Sequence, residues 1–279
     1  MAVASISAAG PSLTSSAYDV FVAKLDASGN HSWSKRFGGA SDQFGTALAA
    51  DAAGNVVVTG YFLGSVDFGG GALTSAGSGD VFVAKLDASG NHVWSKRFGD
   101  SSTQLGEAVA IDGAGGVAVT GGFVGVVDFG GGSLISSGAS STDIFVAKLD
   151  SSGNHVWSRG FGDASAQSAY ALATDAAGNV VFSGDLYGSA DFGGGVLTFA
   201  GDCDLFVAKL DVSGNHVWSK RFGDLRAQYG RSVAIDNAGN TLLSGYFAGT
   251  IDLGGGPLTS VNPNPFTTTF DIFLAKLAP

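Results

Sequence analysis

An all-β propeller of four-stranded repeats, each about 61–67 residues long, is the fold predicted for this 279-residue chain. Three observations predict it. An eight-residue strand recurs five times, at residues 19–26 (DVFVAKLD), 80–87 (DVFVAKLD), 143–150 (DIFVAKLD), 204–211 (DLFVAKLD) and 271–278 (DIFLAKLA), with starts 61, 63, 61 and 67 residues apart. Periods of this size belong to propeller blades or solenoid turns. Each of the first four copies is followed by a second strand of the form GNHVWSKRFG. Finally, 45 glycines, 11% aromatic and only 14% charged residues describe a turn-rich β protein rather than a disordered polyelectrolyte.

The repeats argue for a single domain over residues 1–279, divided into a partial repeat at 1–38, full repeats at 39–99, 100–162 and 163–223, and a partial repeat at 224–279. Within a repeat the first strand, a, is read at residues 46–51, 107–112, 170–175 and 231–236. Ala or Ser recurs on one of its faces (Ala47 and Ala49, Ala108 and Ala110, Ala171 and Ala173, Ser232 and Ala234), which suits a crowded place beside a central axis. Strand b, at 56–62, 117–123, 180–186 and 241–247, is nearly continuous Val, Leu and Phe, as expected of a middle strand buried on both faces. Strand c is FVAKL and strand d is HVWSKRF.

The a-to-b turns (51–55, 112–116, 175–179, 236–240) and c-to-d turns (26–30, 87–91, 150–154, 211–215) read D-x-x-G-N or close to it. Asp caps such a turn with its carboxylate and Gly supplies the positive φ. Calcium is the alternative use of these oxygens, but the turns lack the acidic density and terminal bidentate Glu of a strong site. All four tryptophans (Trp33, Trp94, Trp157, Trp218) and all four histidines (His31, His92, His155, His216) fall on strand d. Trp two residues after His most simply packs between blades, and histidines on separate blades do not converge on zinc. No metal and no cofactor is expected.

There are four copies each of a, b and d but five of c. The C-terminal a, b and c are expected to be completed by the N-terminal d, closing the ring by pairing the two ends. Four blades with an extra strand, five blades with one incomplete, and completion by a second chain, a homo-oligomer through the surplus strand, all stay open.

A net charge of −10 and a pI near 4.5 argue against nucleic acid and anionic membranes, which need basic surface. Twelve of the fourteen basic residues sit at repeated strand positions, leaving only Arg226 and Arg231 outside the pattern. No apolar run has membrane-spanning length, so no membrane insertion is expected. Residues 1–17 lack the charged start and apolar centre of a secretory signal, while abundant Ser, Thr, Asp and Gly with a single Glu lean toward a secreted or cell-surface setting. The single Cys203 rules out an internal disulfide.

FVAKLD, the Trp-Ser strand, AVA-D-x-AGN and VTGYF together resemble the bacterial SBBP β-propeller repeat family over residues 12–279. The resemblance implies architecture and hardly any activity, because that family is defined by its repeat. This chain departs from it by carrying V-D-F-G-G-G-x-L-T-S between b and c. In layout it is similar to small symmetric lectin propellers, though not in motif.

With both D-x-x-G-N turns at one end of each blade, the longer d-to-a and b-to-c connections share the other. The d-to-a loops hold a glutamine at one position throughout: Gln43, Gln104, Gln167 and Gln228. An amide that donates and accepts suits a sugar hydroxyl and equally suits pinning its own loop. The b-to-c loops supply Asp67, Asp128, Asp191 and Asp252, each followed by Phe or Leu and three glycines. Near the same end, Phe44 with Tyr61 and Tyr229 with Tyr246 can form aromatic platforms or pack as a rim. GGG is no phosphate loop here, since neither GK[ST] nor a helix follows, and G-x-S-x-G and H-E-x-x-H are both missing. The expectation is a non-catalytic, multivalent, lectin-like propeller whose partners are glycans or glycoconjugates. Its rival is a protein-interaction or structural module of a surface protein.

Overall fold

The computed structural model describes residues 13–15, 17–261 and 269–279. It is all-β, built of repeated antiparallel sheets. A leading hairpin joins β1 (Val20–Leu25) to β2 (His31–Phe37). Sheet I follows with β3 (Gln43–Ala50) and β4 (Val56–Phe62), a small hairpin of β5 (Ser65–Asp67) and β6 (Ala72–Thr74), then β7 (Asp80–Leu86) and β8 (His92–Phe98). Sheet II repeats this with β9 (Gln104–Ile111), β10 (Val117–Phe123), the small hairpin β11 (Val126–Asp128) and β12 (Ser133–Ile135), β13 (Asp143–Leu149) and β14 (His155–Phe161).

Sheet III does so again, with β15 (Gln167–Thr174), β16 (Val180–Leu186), β17 (Ser189–Asp191), β18 (Val196–Thr198), β19 (Asp204–Leu210) and β20 (His216–Phe222). A trailing sheet holds β21 (Gln228–Ile235), β22 (Thr241–Phe247) and β25 (Asp271–Leu277), with the small hairpin β23 (Thr250–Asp252) and β24 (Pro257–Thr259). The strand order in each full sheet is a-b-c-d, and the inner strands β3, β9, β15 and β21 touch in that series.

The four middle b strands begin and end at the residues read from the sequence. In sheets II and III they are buried along their whole length, because the neighbouring sheets cover both faces. Strand a starts earlier than residue 46: Gln43 already pairs with Phe62, and Gln104, Gln167 and Gln228 pair likewise with Phe123, Leu186 and Phe247. The glutamines are strand residues rather than loop residues. Each b-to-c connection, read as a loop, contains a hairpin of two three-residue strands; in the first, the positive-φ glycines Gly69 and Gly71 tighten the turn after Asp67.

The expected closing pair is not formed. β2 pairs only with β1, and β22 takes β25 as its neighbour, so the leading hairpin and the trailing sheet stay separate sheets. The reason is local: β2 pairs along its length with β1, the c strand just before it in the chain, and so does not serve as the fourth strand beside β25.

The D-x-x-G-N turns form as expected. Asp26 Oδ1 accepts from the backbone N–H groups of Ser28 and Asn30, Asn30 Nδ2 donates to Asp26 Oδ2, and Gly29 has φ +81°. These turns also lock the repeats together. Trp33, Trp94 and Trp157 donate Nε1 to the carbonyls of Ala88, Ser151 and Val212, each in the c-to-d turn of the following repeat. Trp218 Nε1, the fourth of the series, is buried without a hydrogen-bond partner among the described residues. Phe82, Phe145 and Phe206 are fully buried at the centres of the interfaces between sheets.

Candidate functional site

The d-to-a loops and the small hairpins meet at one end of each sheet, stitched by hydrogen bonds. Asp100 Oδ1 accepts from Ser102 N and Gln104 Nε2, while Asp100 Oδ2 accepts from Val126 N at the start of the small hairpin. Gln104 Nε2 also donates to the Val124 carbonyl, and its Oε1 accepts from Asp100 N. Asp163 with Gln167 and Asp224 with Gln228 repeat the network. Gly39 replaces the aspartate in the first copy, where Gln43 holds Gly39 N and the Leu63 carbonyl. All four glutamines are buried, and their amides are already engaged in bracing the loops. A ligand has no access to them in this arrangement.

Asp67, Asp128, Asp191 and Asp252 are exposed. One oxygen of each caps its glycine turn: Asp67 Oδ1 accepts from Gly69 N at 2.7 Å and Gly71 N at 3.0 Å, and Asp191 does the same for Gly193 and Gly195. Two of these aspartates open onto grooves of about 570 and 610 Å³, each running between one repeat's strand d and the next repeat's small hairpin. Lys35, Arg36, Asp67, Asn91 and His92 line the first groove; Arg159, Asp191, Asn215 and His216 line the second. The grooves are polar, wide and shallow, and they differ at one cation: Gly160 stands where the first has Arg36.

That substitution propagates inward. Arg36, Arg97 and Arg221 pair with the buried carboxylates Asp19, Asp80 and Asp204 at the start of strand c. Asp143 has no such partner among the described residues, and burial pushes its carboxyl up from the usual range. Arg159 instead donates Nε to the Gly214 carbonyl in the next repeat's turn. In the grooves, His92 and His216 bond Ser95 Oγ and Ser219 Oγ through Nε2. Their rings lie so close over Gly70 and Gly194 that a Cβ there would overlap them.

The aromatic residues form two cross-strand stacks that line neither groove. Phe44 sits opposite Tyr61 with ring centroids 4.8 Å apart, and Tyr18 joins at 5.2 Å. Tyr229 sits opposite Tyr246 at 4.8 Å and adds Phe270. The twelve residues singled out from the sequence therefore divide three ways: four buried braces, four exposed turn caps and two half-buried aromatic pairs.

Sequence reading missed one cluster. Each a strand carries a β-bulge, and the bulged residues are Thr46, Glu107, Tyr170 and Arg231. Bulges re-aim side chains. Arg231 Nη1 donates to Asp185 Oδ2 at 2.9 Å, its Nη2 donates to Tyr246 Oη at 3.0 Å, and its guanidinium lies over the rings of Tyr170, Tyr229 and Tyr246 at 4.6–5.1 Å. Burial pushes the Asp185 carboxyl up to about 6 even beside this cation, and burial likewise raises Glu107. A signal was present in the sequence: four different residue types occupy one aligned position in an otherwise repeated strand.

No family model matches the chain. No curated protein matches it either. Among the described residues no group of three or more His, Cys, Asp or Glu side chains is placed to hold a metal ion. Among those residues no helix is long and apolar enough to cross a membrane.

Proposed function

We propose that the sheets are blades of a propeller that binds carbohydrate without catalysis, using the grooves between successive blades as repeated sites. The observation that carries this reading is that equivalent residues build the same kind of groove at two junctions of the chain. Each offers a carboxylate, an amide, an imidazole, a cation and glycine backbone that a polyhydroxylated ligand can approach closely. Shallow open sites of this kind bind weakly one at a time, and a clustered ligand engaging several gains about 10² to 10⁴ in avidity. The ligand class is therefore glycans displayed in many copies on a surface.

The test is a glycan array on the purified protein, followed by titration of any hit against the Asp67→Ala, Asp128→Ala, Asp191→Ala triple variant. Saturable binding to one sugar class that the triple variant loses, measured at a temperature where the variant is still folded, supports the reading. A blank array from folded protein sinks it and favours a protein-interaction scaffold.

A further inference from the structure

The two ends of the structure present opposite halves of one interface. Within the chain, every junction between successive units uses the same pairs of strand-c residues. Val20 and Val22 of the leading hairpin share a core with Phe82 and Leu86 of sheet I. Val81 and Val83 share one with Phe145 and Leu149, Ile144 and Val146 with Phe206 and Leu210, and Leu205 and Val207 with Phe273 and Leu277. Each junction thus sets two apolar residues on the forward face of one strand c against an aromatic and a leucine on the rear face of the next.

At the ends these residues are bare. Ile272 and Leu274, the forward pair of β25, are 88% and 76% exposed, whereas their counterparts Val81 and Val83 are at 0%. Phe21 and Leu25, the rear pair of β1, are 53% and 54% exposed, whereas Phe82 and Leu86 are at 0%. Large apolar side chains left this open, beside equivalents that are fully covered, mark a face built to be covered. Among the described residues none covers them: β21 does not pack against β3 as the other inner strands pack against their neighbours.

We propose that a second copy of this chain covers them head to tail, with Ile272 and Leu274 of one copy seated on Phe21 and Leu25 of the other. The occupant is fixed by complementarity, since the exposed pairs are the two halves of a contact the chain already makes four times. The orientation is fixed too, because forward faces meet rear faces in all four junctions. Such a contact is heterologous, so it closes into a ring or lengthens into a filament according to the rotation between copies.

Two variants test this, both changed only at exposed positions and therefore expected to fold: Ile272→Asp with Leu274→Asp, and Phe21→Asp with Leu25→Asp. Sedimentation over a range of concentrations should show the mass of the native protein rising above that of one chain. Each variant alone should stay monomeric, and an equimolar mixture should form a species of two chains and nothing larger, because only one compatible pair of faces remains. A native protein that stays monomeric up to its solubility limit overturns the proposal. So does a variant that self-associates as the native chain does, or a mixture that stays monomeric.

Discussion

Arg231 and Asp185 join the last two sheets by a side-chain ion pair, Nη1 to Oδ2 at 2.9 Å, made by a bulged residue of one inner strand and the end of strand b in the sheet before it. Asp185 is almost completely buried, and Arg231 is the only cation facing it among the described residues. Desolvation still outweighs the attraction, so the carboxyl titrates at about 6 rather than at its ordinary 3.8.

The folded protein therefore holds this proton more tightly than the unfolded chain does. The associated stability is fully present below about pH 4 and is lost as pH rises through about 6, by an amount on the order of 3 kcal/mol at most. Asp185→Asn cannot titrate there. Urea unfolding of both proteins from pH 4 to pH 7 should show the native protein losing stability relative to the variant across that window. A constant difference would refute the assignment.

Gln104→Ala removes a buried amide with three partners: Asp100 Oδ1, the Val124 carbonyl and Asp100 N. The expected cost is about 2 to 3 kcal/mol, since the partners are left unsatisfied. Glycan binding at the grooves should survive at temperatures where the variant is folded. Thermal unfolding with an unchanged midpoint would show that the amide braces nothing.

Trp94→Phe and Trp218→Phe make the same chemical change in different settings. Trp94 Nε1 donates to the Ser151 carbonyl, whereas Trp218 Nε1 has no partner among the described residues. The Trp94 substitution should cost about 1 kcal/mol more than the other. Equal costs, within about 0.3 kcal/mol, would mean that the hydrogen bond contributes nothing net.

Gly131 and Gly255 occupy the same place in their glycine turns. A Cβ at Gly131 would overlap the His155 ring, whereas one at Gly255 would meet nothing within 4 Å, because the trailing sheet has no described strand d. Gly131→Ala should destabilise by about 1 to 3 kcal/mol, and Gly255→Ala should stay within about 0.5 kcal/mol of the native protein. Chemical denaturation of the two variants side by side decides it, and a reversed order would contradict the packing of histidine on the turn.

The repeat itself was legible because it is written in local terms. Strand b was recognised from its unbroken apolar run, and the D-x-x-G-N turns from the carboxylate that caps them and the glycine that takes positive φ. Gln43 was misplaced in a loop because polarity alone cannot reveal that its strand partner is Phe62, a residue 19 positions away whose pairing depends on register. The small hairpin of β5 and β6 was hidden for the opposite reason: three glycines look like pure loop until Asp67 folds them into a turn.

By itself, then, the sequence determined the all-β class, the period, the identity of strands b, c and d, and the chemistry of their turns, all of which depend on neighbours a few residues apart. Tertiary structure alone decided the rest. It buried the glutamines, opened the grooves between Arg36 and Asp67 or Arg159 and Asp191, gathered Arg231 with Asp185 and three tyrosines, and left Ile272 and Phe21 uncovered at opposite ends. Each of these is set by packing between repeats some 60 residues apart, where identical local sequences meet different neighbours.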